Sequence, residues 1–286
     1  MVVKSKGGRG IGTEWGKNSA FRITNSELRM QFEKWQACGN DFILVKEEVS
    51  AKFAKKICDR HYGIGADGVI MVLPSEVAAG RMKIYNRDGS EAEMCGNGIR
   101  CVGRQLCEER GLKALRVETL AGVKELELDG EYISVEMGCA DIKWSGQIVL
   151  PDGREQNSVY LTIGNPHCVI FIDEVRPGEV ERYGSRISKL PKFPAGANVE
   201  FVTIYTTRRV RSRVWERGVG RTLACGTGAC ASAYASYKAG ATTESVTVSL
   251  DGGDVEIEIH EGGITMIGEA QRVYKGELTI PADVDE

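Results

Sequence analysis

The chain has 286 residues, a formal net charge of −3 and a hydrophobic content of 42%. This length is enough for one large or two medium domains with a substantial core. The balanced charge argues against a nucleic-acid partner. The longest apolar runs, such as residues 168–172, are too short to cross a membrane.

The nine cysteines form an odd-numbered set in a chain too large to need disulfide staples. We therefore expect a reducing compartment and a cytoplasmic protein. No C-x-x-C pair occurs, and the three histidines, His61, His167 and His260, are far apart in the sequence. This spacing predicts no zinc site, and we assign no metal ligands.

Residues 1–29 differ in character from the rest of the chain. They carry an excess of basic residues, are rich in Gly and Ser, and contain no apolar segment of the kind found in secretory signals. We expect a disordered extension, with Met30 as a candidate for the true start. Strands are predicted at 32–35 and 42–45, around a Gly-Asn turn.

A helix is predicted over residues 50–61 from the spacing of its apolar residues. The following stretch, Gly63-Ile64-Gly65-Ala66-Asp67-Gly68, matches the G-x-G-x-x-G fingerprint of dinucleotide-binding folds. It follows a helix and leads into a strand at 69–73, which is the reverse of the order that a pyrophosphate site requires. The context therefore argues against a dinucleotide site.

Strands and helices continue in an order typical of α+β proteins. Three further helices are predicted at 96–109, 178–187 and 228–238, the last one rich in small residues and therefore expected to be central and buried. Further strands are predicted at 81–85, 115–119, 123–128, 132–137, 159–163, 168–172, 198–206, 210–215, 246–250, 255–259, 264–267 and 272–278.

Two cysteines stand in nearly duplicate surroundings. Cys95 and Cys225 are each followed by a Gly-x-Gly turn and a predicted helix. The matched neighbours are Asn86-Arg87 with Glu216-Arg217, each starting nine residues before its cysteine, and Gly39-Asn40 with Gly164-Asn165 further upstream. This repetition predicts two similar domains whose equivalent ends face a shared cleft.

A thiol at a helix N-terminus lies near unpaired N–H groups and the positive end of the helix dipole, which favours the thiolate. The glycines leave those N–H groups free to hold a carboxylate. Two such turns facing each other would place one sulfur on each side of the carbon next to that carboxylate. The pattern therefore favours an acid and a base acting on opposite faces of one stereocentre.

From residue 30 onward the sequence resembles the diaminopimelate epimerase family. The motifs that carry the resemblance are Gly39-Asn40-Asp41-Phe42, Met94-Cys95-Gly96-Asn97-Gly98-Ile99-Arg100, Gly164-Asn165-Pro166-His167-Cys168, Glu216-Arg217-Gly218 and Ala224-Cys225-Gly226-Thr227-Gly228. The resemblance implies interconversion of LL- and meso-2,6-diaminopimelate in lysine biosynthesis, without a cofactor, by a homodimer. It also implies two pseudo-symmetric domains, each a curled, mostly antiparallel sheet around a central helix. We expect these at residues 30–137 plus 268–286 and at 138–267.

Site residues follow from the resemblance position by position. Cys95 and Cys225 match the paired acid and base, and His167 and Glu216 match polar groups beside the reacting centre. Gly68 departs from the Gln of some family members, so no substrate contact is assigned to it. The positions matching substrate-binding residues are Asn40, Asn86, Gly96, Asn97, Asn165, Asn198, Glu216, Arg217, Gly226 and Thr227.

Other functions remain open from the sequence. Proline racemases and hydroxyproline epimerases share the fold and the cysteine chemistry, but they resemble Cys-Gly-His at the first site, where this chain has Cys95-Gly96-Asn97. A non-catalytic small-molecule binding protein could keep the fold, although the presence of both cysteines argues against it. A pyridoxal enzyme is formally possible because lysines are abundant.

Overall fold

The computed structural model describes residues 27–176 and 178–281, and in that part the chain forms 18 strands and four helices. The helices are α1 (Ala51–Ile57), α2 (Gly96–Arg110), α3 (Glu179–Ile187) and α4 (Gly226–Lys238). The strands of the first half are β1 (Glu27–Ala37), β2 (Asn40–Val45), β3 (Gly68–Leu73), β4 (Gly80–Asn86), β5 (Glu91–Ala92), β6 (Ala114–Thr119), β7 (Gly122–Asp129) and β8 (Tyr132–Gly138). Those that follow are β9 (Asp141–Val149), β10 (Glu155–Ile163), β11 (Asn165–Phe171), β12 (Asn198–Thr206), β13 (Arg209–Glu216), β14 (Gly220–Arg221), β15 (Ser245–Leu250), β16 (Gly253–His260), β17 (Gly263–Glu269) and β18 (Gln271–Pro281).

The strand pairing repeats itself between the two halves, which confirms the predicted duplication. Strand β2 pairs in parallel with β3, and β3 pairs antiparallel with β4, just as β11 pairs with β12 and β12 with β13. The next pairings, β4 with β6 and β13 with β15, are both parallel. Helix α1 stands at the same place in the first half as α3 in the second, and α2 at the same place as α4.

Helices α2 and α4 occupy the centres of the two halves. Helix α2 packs against β1, β2, β4 and β6 to β8, while α4 packs against β10 to β13 and β15 to β17. Both are buried along most of their length. The small residues of α4 allow its close packing inside the sheet. The buried hydroxyls of Ser232 and Ser236 are satisfied because they donate to carbonyls four residues earlier. The α+β class with a curled sheet around a central helix in each half is confirmed.

The two halves are joined by strand pairing. The last strand, β18, pairs antiparallel with β1, and β17 pairs with β8. Hydrogen bonding therefore continues from one half into the other. The exact domain boundaries stay a prediction, because β8 and β17 pair directly across the predicted boundary.

Some elements differ from the sequence predictions. Strand β1 begins at Glu27, three residues before Met30, and pairs there with β18. Residues 1–26, which hold most of the predicted extension, lie outside the described residues. Helix α1 ends at Ile57, before the predicted end at residue 61. Its C-cap residue, Cys58, donates its backbone N–H to the carbonyl of Ala54. Strand β9, which the sequence did not predict, pairs with β10.

No helix within residues 27–176 and 178–281 is both long enough and apolar enough to cross a bilayer.

Candidate active site at the facing helix N-termini

The two cysteines cap the two central helices in the same way. Cys95 precedes α2 with extended backbone angles (φ −136°, ψ 119°), and Cys225 precedes α4 with nearly the same angles (φ −125°, ψ 116°). Each sulfur accepts a hydrogen bond from the N–H three residues later, from Gly98 and from Gly228, at 3.4 Å. Cysteine thus takes the capping role that Ser or Asp usually has.

Both capping turns require glycine at that third position. A Cβ on Gly98 would lie 2.8 Å from Cδ1 of Ile70, and a Cβ on Gly228 would lie 2.8 Å from Oε1 of Glu200. A side chain at either place would displace the residue beneath the turn. Limited space beneath each turn, and not an unusual backbone angle, therefore favours glycine at this position.

The two helix N-termini meet at a pair of glycines. A Cβ on Gly96 would lie 3.2 Å from Cα of Gly226, and one on Gly226 would lie 3.1 Å from Cα of Gly96. Met266 of β17 packs against both glycines. In addition, Asn97 of the first half donates through Nδ2 to the carbonyl of Ala224, at 3.2 Å. The fold therefore brings both cysteine turns to one place.

The Cys95 turn rests on a hydrogen-bonded group at the start of β2. The Asn40 carboxamide oxygen accepts from Asn97 Nδ2 at 3.3 Å and from the Cys95 thiol at 3.8 Å. Its amide donates to Asp67 Oδ2 at 2.8 Å. Asn40, Cys95 and Asn97, three of the predicted site residues, are thus in contact.

Charged groups behind Asn40 hold it in place. Asp41 forms ion pairs with Lys34 at 2.6 Å and with Arg60 at 2.7 Å, and Arg60 also contacts Asp67 at 2.8 Å. Burial alone would raise the pKa of Asp41, but the hydrogen bonds from Arg60 and Lys34 outweigh it and lower that pKa to about 2.

The Cys225 turn rests on a different set of groups. His167 contacts Glu200 Oε1 through Nδ1 at 2.7 Å and Asn165 Oδ1 through Nε2 at 2.9 Å. Asn165 donates to Thr227 Oγ1 at 3.4 Å, and that hydroxyl lies 3.6 Å from the Cys225 sulfur. A chain of polar contacts therefore runs from a buried carboxyl group to the second thiol.

The sequence prediction missed Glu200 as part of this chain. Its side chain and that of His167 are completely buried, and burial raises the pKa of Glu200, with His167 acting in the opposite direction. The two ring nitrogens of His167 thus join one oxygen of Glu200 to the carboxamide oxygen of Asn165. The signal in the sequence was a charged residue inside the otherwise apolar stretch of β12.

Glu216 accepts a hydrogen bond from Thr222 and acts electrostatically on both sulfurs. Burial raises its pKa, while hydrogen bonds from Thr222 and Cys225 act in the opposite direction. Its carboxylate in turn raises the pKa of Cys95 and of Cys225. His167 and Glu216 thus both lie in the surroundings of the Cys225 turn, and their place beside a reacting centre stays a prediction.

The thiol pKa values differ from the sequence expectation. We expected the helix N-termini to favour the thiolates, but burial raises the pKa of both thiols. The N–H groups of Gly98 and Gly228 act in the opposite direction and do not outweigh it. For Cys225, whose pKa is raised well above the usual range, Glu216 and Glu200 add to the effect of burial. The desolvation cost of a buried anion exceeds what one capping hydrogen bond returns.

Three other predicted residues lie at the border of this site. Asn198 accepts the backbone N–H of Arg217 at 2.7 Å, and the Arg217 guanidinium donates to the carbonyl of Ala195 at 2.8 Å. Asn86 donates to Ser90 in the turn after β4. Among the described residues, no hydrogen bond links Asn86 to either cysteine turn.

A cavity of about 520 Å³ adjoins Arg217. Its lining comes from the loop between Ser188 and Gly196, from Trp215 and from residues 217–220, and Arg217 is the predicted site residue that it includes. Neither cysteine lines it. The cavity is therefore a neighbour of the cysteine site and not the place of its chemistry.

Comparison with known proteins is consistent with this geometry. A sequence profile described as diaminopimelate epimerase matches residues 32–143 and 159–273. A diaminopimelate epimerase of Pelotomaculum thermopropionicum is 44% identical over 275 residues, which cover 87% of this chain and 98% of that protein. One from Desulfitobacterium hafniense is 42% identical over 277 residues, with the same coverage of 87% and 98%.

Solved structures show the same fold at low identity. A hydroxyproline epimerase from Agrobacterium vitis has a TM-score of 0.69 and 15% identity, covering 89% of this chain and 92% of that one. At that identity the likeness concerns the fold alone.

Proposed function

Because this chain belongs to the diaminopimelate epimerase family, we propose that it interconverts LL- and meso-2,6-diaminopimelate, and that Cys95 and Cys225 are the acid and the base. The observation that carries this proposal is the meeting of two cysteine-capped helix N-termini at Gly96 and Gly226. The reaction places the enzyme in lysine biosynthesis, and by family resemblance we expect a homodimer that needs no cofactor.

Inversion of a stereocentre requires proton removal on one face and proton delivery on the other. One thiolate takes the α-proton, and the other thiol gives its proton to the opposite face of the same carbon. The first sulfur ends as a thiol and the second as a thiolate, so the direction of reaction decides which is the base. We expect the two titrations to be coupled, because both sulfurs act on one carbon and one must be thiolate while the other is thiol.

The intermediate is a carbanion next to a carboxylate, and its charge must be stabilised. The first N–H groups of α2 and α4 have no partner within their helices and lie beside the cysteines. Gly96, Asn97, Gly226 and Thr227 would hold the carboxylate through these groups. Electrostatic stabilisation of this kind is typically worth about 3 kcal/mol for each donor in a site without water.

The raised thiol pKa values fit a site that becomes active when substrate binds. A positively charged substrate amino group would lower both thiol pKa values and so oppose the effects of burial and of Glu216. Arg217 lines the cavity of about 520 Å³. Recognition of the distal amino-acid group by Arg217, with Asn86 and Asn198, would provide binding energy for the reacting end.

Exchange of the α-proton tests this function directly. Purified protein is incubated in deuterated water with LL-diaminopimelate and no added cofactor, and with L-proline and trans-4-hydroxy-L-proline in parallel. We expect the meso isomer and deuterium at the α-carbon with diaminopimelate alone. Exchange of the proline substrates without exchange of diaminopimelate would contradict the proposal.

A further inference from the structure

One buried cation lies directly behind the Cys95 turn. The side chain of Arg100, in the second turn of α2, has 0% exposure to solvent. Its hydrogen bonds end on the carbonyls of Gly96 and Glu269, both at 3.4 Å, and on the Asn97 side chain. It also contacts the sulfurs of Met266 and Cys38 at 3.2 and 3.4 Å. All five acceptors are uncharged groups.

Within the described ranges, no carboxylate forms an ion pair with Arg100. A buried cation without a counterion is expensive, and replacement by an apolar residue is often neutral or stabilising. The second half shows that the fold does not require it. The equivalent position in α4, five residues after the cysteine, is Cys230, which is also buried. A structural role alone therefore does not explain the guanidinium.

The guanidinium orients the Asn97 amide directly and acts on the Asn40 amide through it. Nη2 donates to Asn97 Oδ1 at 3.1 Å, so Nδ2 of Asn97 must face the other way. There it donates to Asn40 Oδ1 and to the carbonyl of Ala224. Asn40 Oδ1 is also the acceptor for the Cys95 thiol. Arg100 thus acts on the Cys95 acceptor through one intervening side chain, while Asp67 holds the amide end of Asn40 directly.

The charge of Arg100 also acts on one half more than on the other. Burial has the largest effect on the pKa of Cys95 and raises it, and Glu216 raises it as well. The N–H groups of Gly98 and Asn97 lower that pKa, and the charge of Arg100 lowers it by a smaller amount. The main groups acting on Cys225 are instead burial, Glu216 and Glu200, followed by hydrogen bonds from Thr227 and Gly228. The cation is therefore placed to favour an anion at the α2 side of the site.

We propose that Arg100 is a positioning residue for epimerisation: it orients the Asn97 and Asn40 amides around Cys95 and supplies a fixed positive charge behind the α2 N-terminus. This rests on the proposed two-thiol function. The anions that balance the charge in the working enzyme are the Cys95 thiolate and the substrate carboxylate.

The test compares Arg100→Met, which removes the charge, with Arg100→Lys, which keeps it but loses the planar donor group. The matched control is Arg104→Met, one turn further along α2, whose side chain pairs with Glu108 and the carbonyl of Ala270. For each variant, alkylation of Cys95 and of Cys225 by iodoacetamide is followed against pH by peptide mass spectrometry. Kinetic constants and thermal unfolding are measured on the same preparations.

In Arg100→Met we expect the apparent pKa of Cys95 to rise by about one unit, which slows its alkylation at neutral pH about tenfold, with Cys225 unchanged. We expect kcat to fall by about 100-fold with little change in KM. Arg100→Lys should keep the Cys95 profile and lose about tenfold in kcat, because the Asn97 amide is no longer oriented. Arg104→Met should match the wild type in the Cys95 alkylation profile and in kcat.

Identical Cys95 profiles and kcat values in Arg100→Met and Arg104→Met would overturn the proposal. If Arg100→Met does not fold, full kcat in Arg100→Lys would also overturn it. The alkylation readings do not depend on turnover. A wild-type protein that fails to epimerise diaminopimelate therefore counts against the proposed function, while the shift of Cys95 between variants still reports on Arg100.

Discussion

The surroundings of Cys95 and of Cys225 have the same backbone and different charges. The parallel strands β2 and β3 pair Phe42 with Gly68, and the equivalent parallel strands β11 and β12 pair His167 with Asn198. Beneath the first turn of α2 lies Ile70, and beneath that of α4 lies Glu200. The first half thus combines apolar residues with a buried cation, whereas the second combines a buried acid with a histidine.

This difference shows which properties the duplicated frame controls and which it leaves to side chains. The frame sets where each sulfur lies, because both helices begin with the same capped turn and meet at Gly96 and Gly226. The charges set how readily each sulfur ionises. Burial raises the pKa of both thiols, but Cys225 has Glu200 nearby and Cys95 has Arg100. One fold can thereby hold an acid and a base made of the same residue type.

The largest effect is expected from a change in the shared frame. In Gly226→Ala the new Cβ would lie 3.1 Å from Cα of Gly96, and backbone atoms cannot move aside as a flexible side chain does. The two turns would separate by a fraction of an ångström or more, so we expect kcat/KM to fall by about 100-fold or more.

The matched control is Gly80→Ala, where the nearest atom is the end of the Leu106 side chain at 3.3 Å. We expect nearly wild-type turnover in that variant. Wild-type kcat/KM in Gly226→Ala would show that the helix contact does not matter for the reaction.

A smaller effect is expected from a change on one side of the comparison. Glu200→Gln keeps the shape and removes a negative charge that raises the Cys225 pKa. The apparent pKa of Cys225 should therefore fall, and its alkylation at neutral pH should accelerate by up to about tenfold. Cys95 should not change, and peptide-resolved alkylation measures both thiols at once.

Glu258→Gln, an exposed change on β16, is the control and should leave both thiols as in the wild type. An equal shift of Cys95 and Cys225 in Glu200→Gln would contradict the assignment of Glu200 to one side of the site.

The smallest effect concerns the support of Asn40. The pKa of Asp41 is about 2 in the folded protein, below its ordinary value of 3.8. Its ionised form therefore stabilises the fold above about pH 4, and this stabilisation is lost as the pH falls towards 2. Asp41→Asn should lower the free energy of unfolding at pH 7 by about 2 kcal/mol, with the difference from wild type shrinking below pH 4.

Denaturant unfolding between pH 2 and pH 7 measures this difference. Asp129→Asn, at an exposed position, serves as the control and should change the unfolding free energy by no more than about 0.5 kcal/mol. A difference that grows on acidification would reverse the assigned sign of the Asp41 contribution.

Local sequence patterns were sufficient to predict the frame. The cysteine turns, the end of α2 and the burial of α4 all follow from residues close together in the chain. Helix α2 ends at Gly111, which has the left-handed conformation (φ 66°) typical of a helix end. The G-x-G-x-x-G stretch follows α1 and leads into β3, in the order of elements that the sequence predicted. Strand β9 escaped prediction because most of its residues are at least partly exposed and give little apolar alternation.

The electrostatics could not be predicted in the same way. Arg100 and Glu200 look like surface residues in sequence, and only the packing of distant strands shows that they are buried. The direction of the thiol pKa shifts depends on that same burial. Sequence spacing reveals the helix N-terminus but not how much water reaches it.

The account depends on two sulfurs, one from each half, acting on a single carbon. The most direct test is the rate of LL-diaminopimelate epimerisation in Cys95→Ala, in Cys225→Ala and in the variant that carries both changes. We predict that each single variant loses at least about 1,000-fold in kcat and that the double variant is no worse, because the residues act as a unit. Turnover close to the wild-type rate in either single variant would contradict the account.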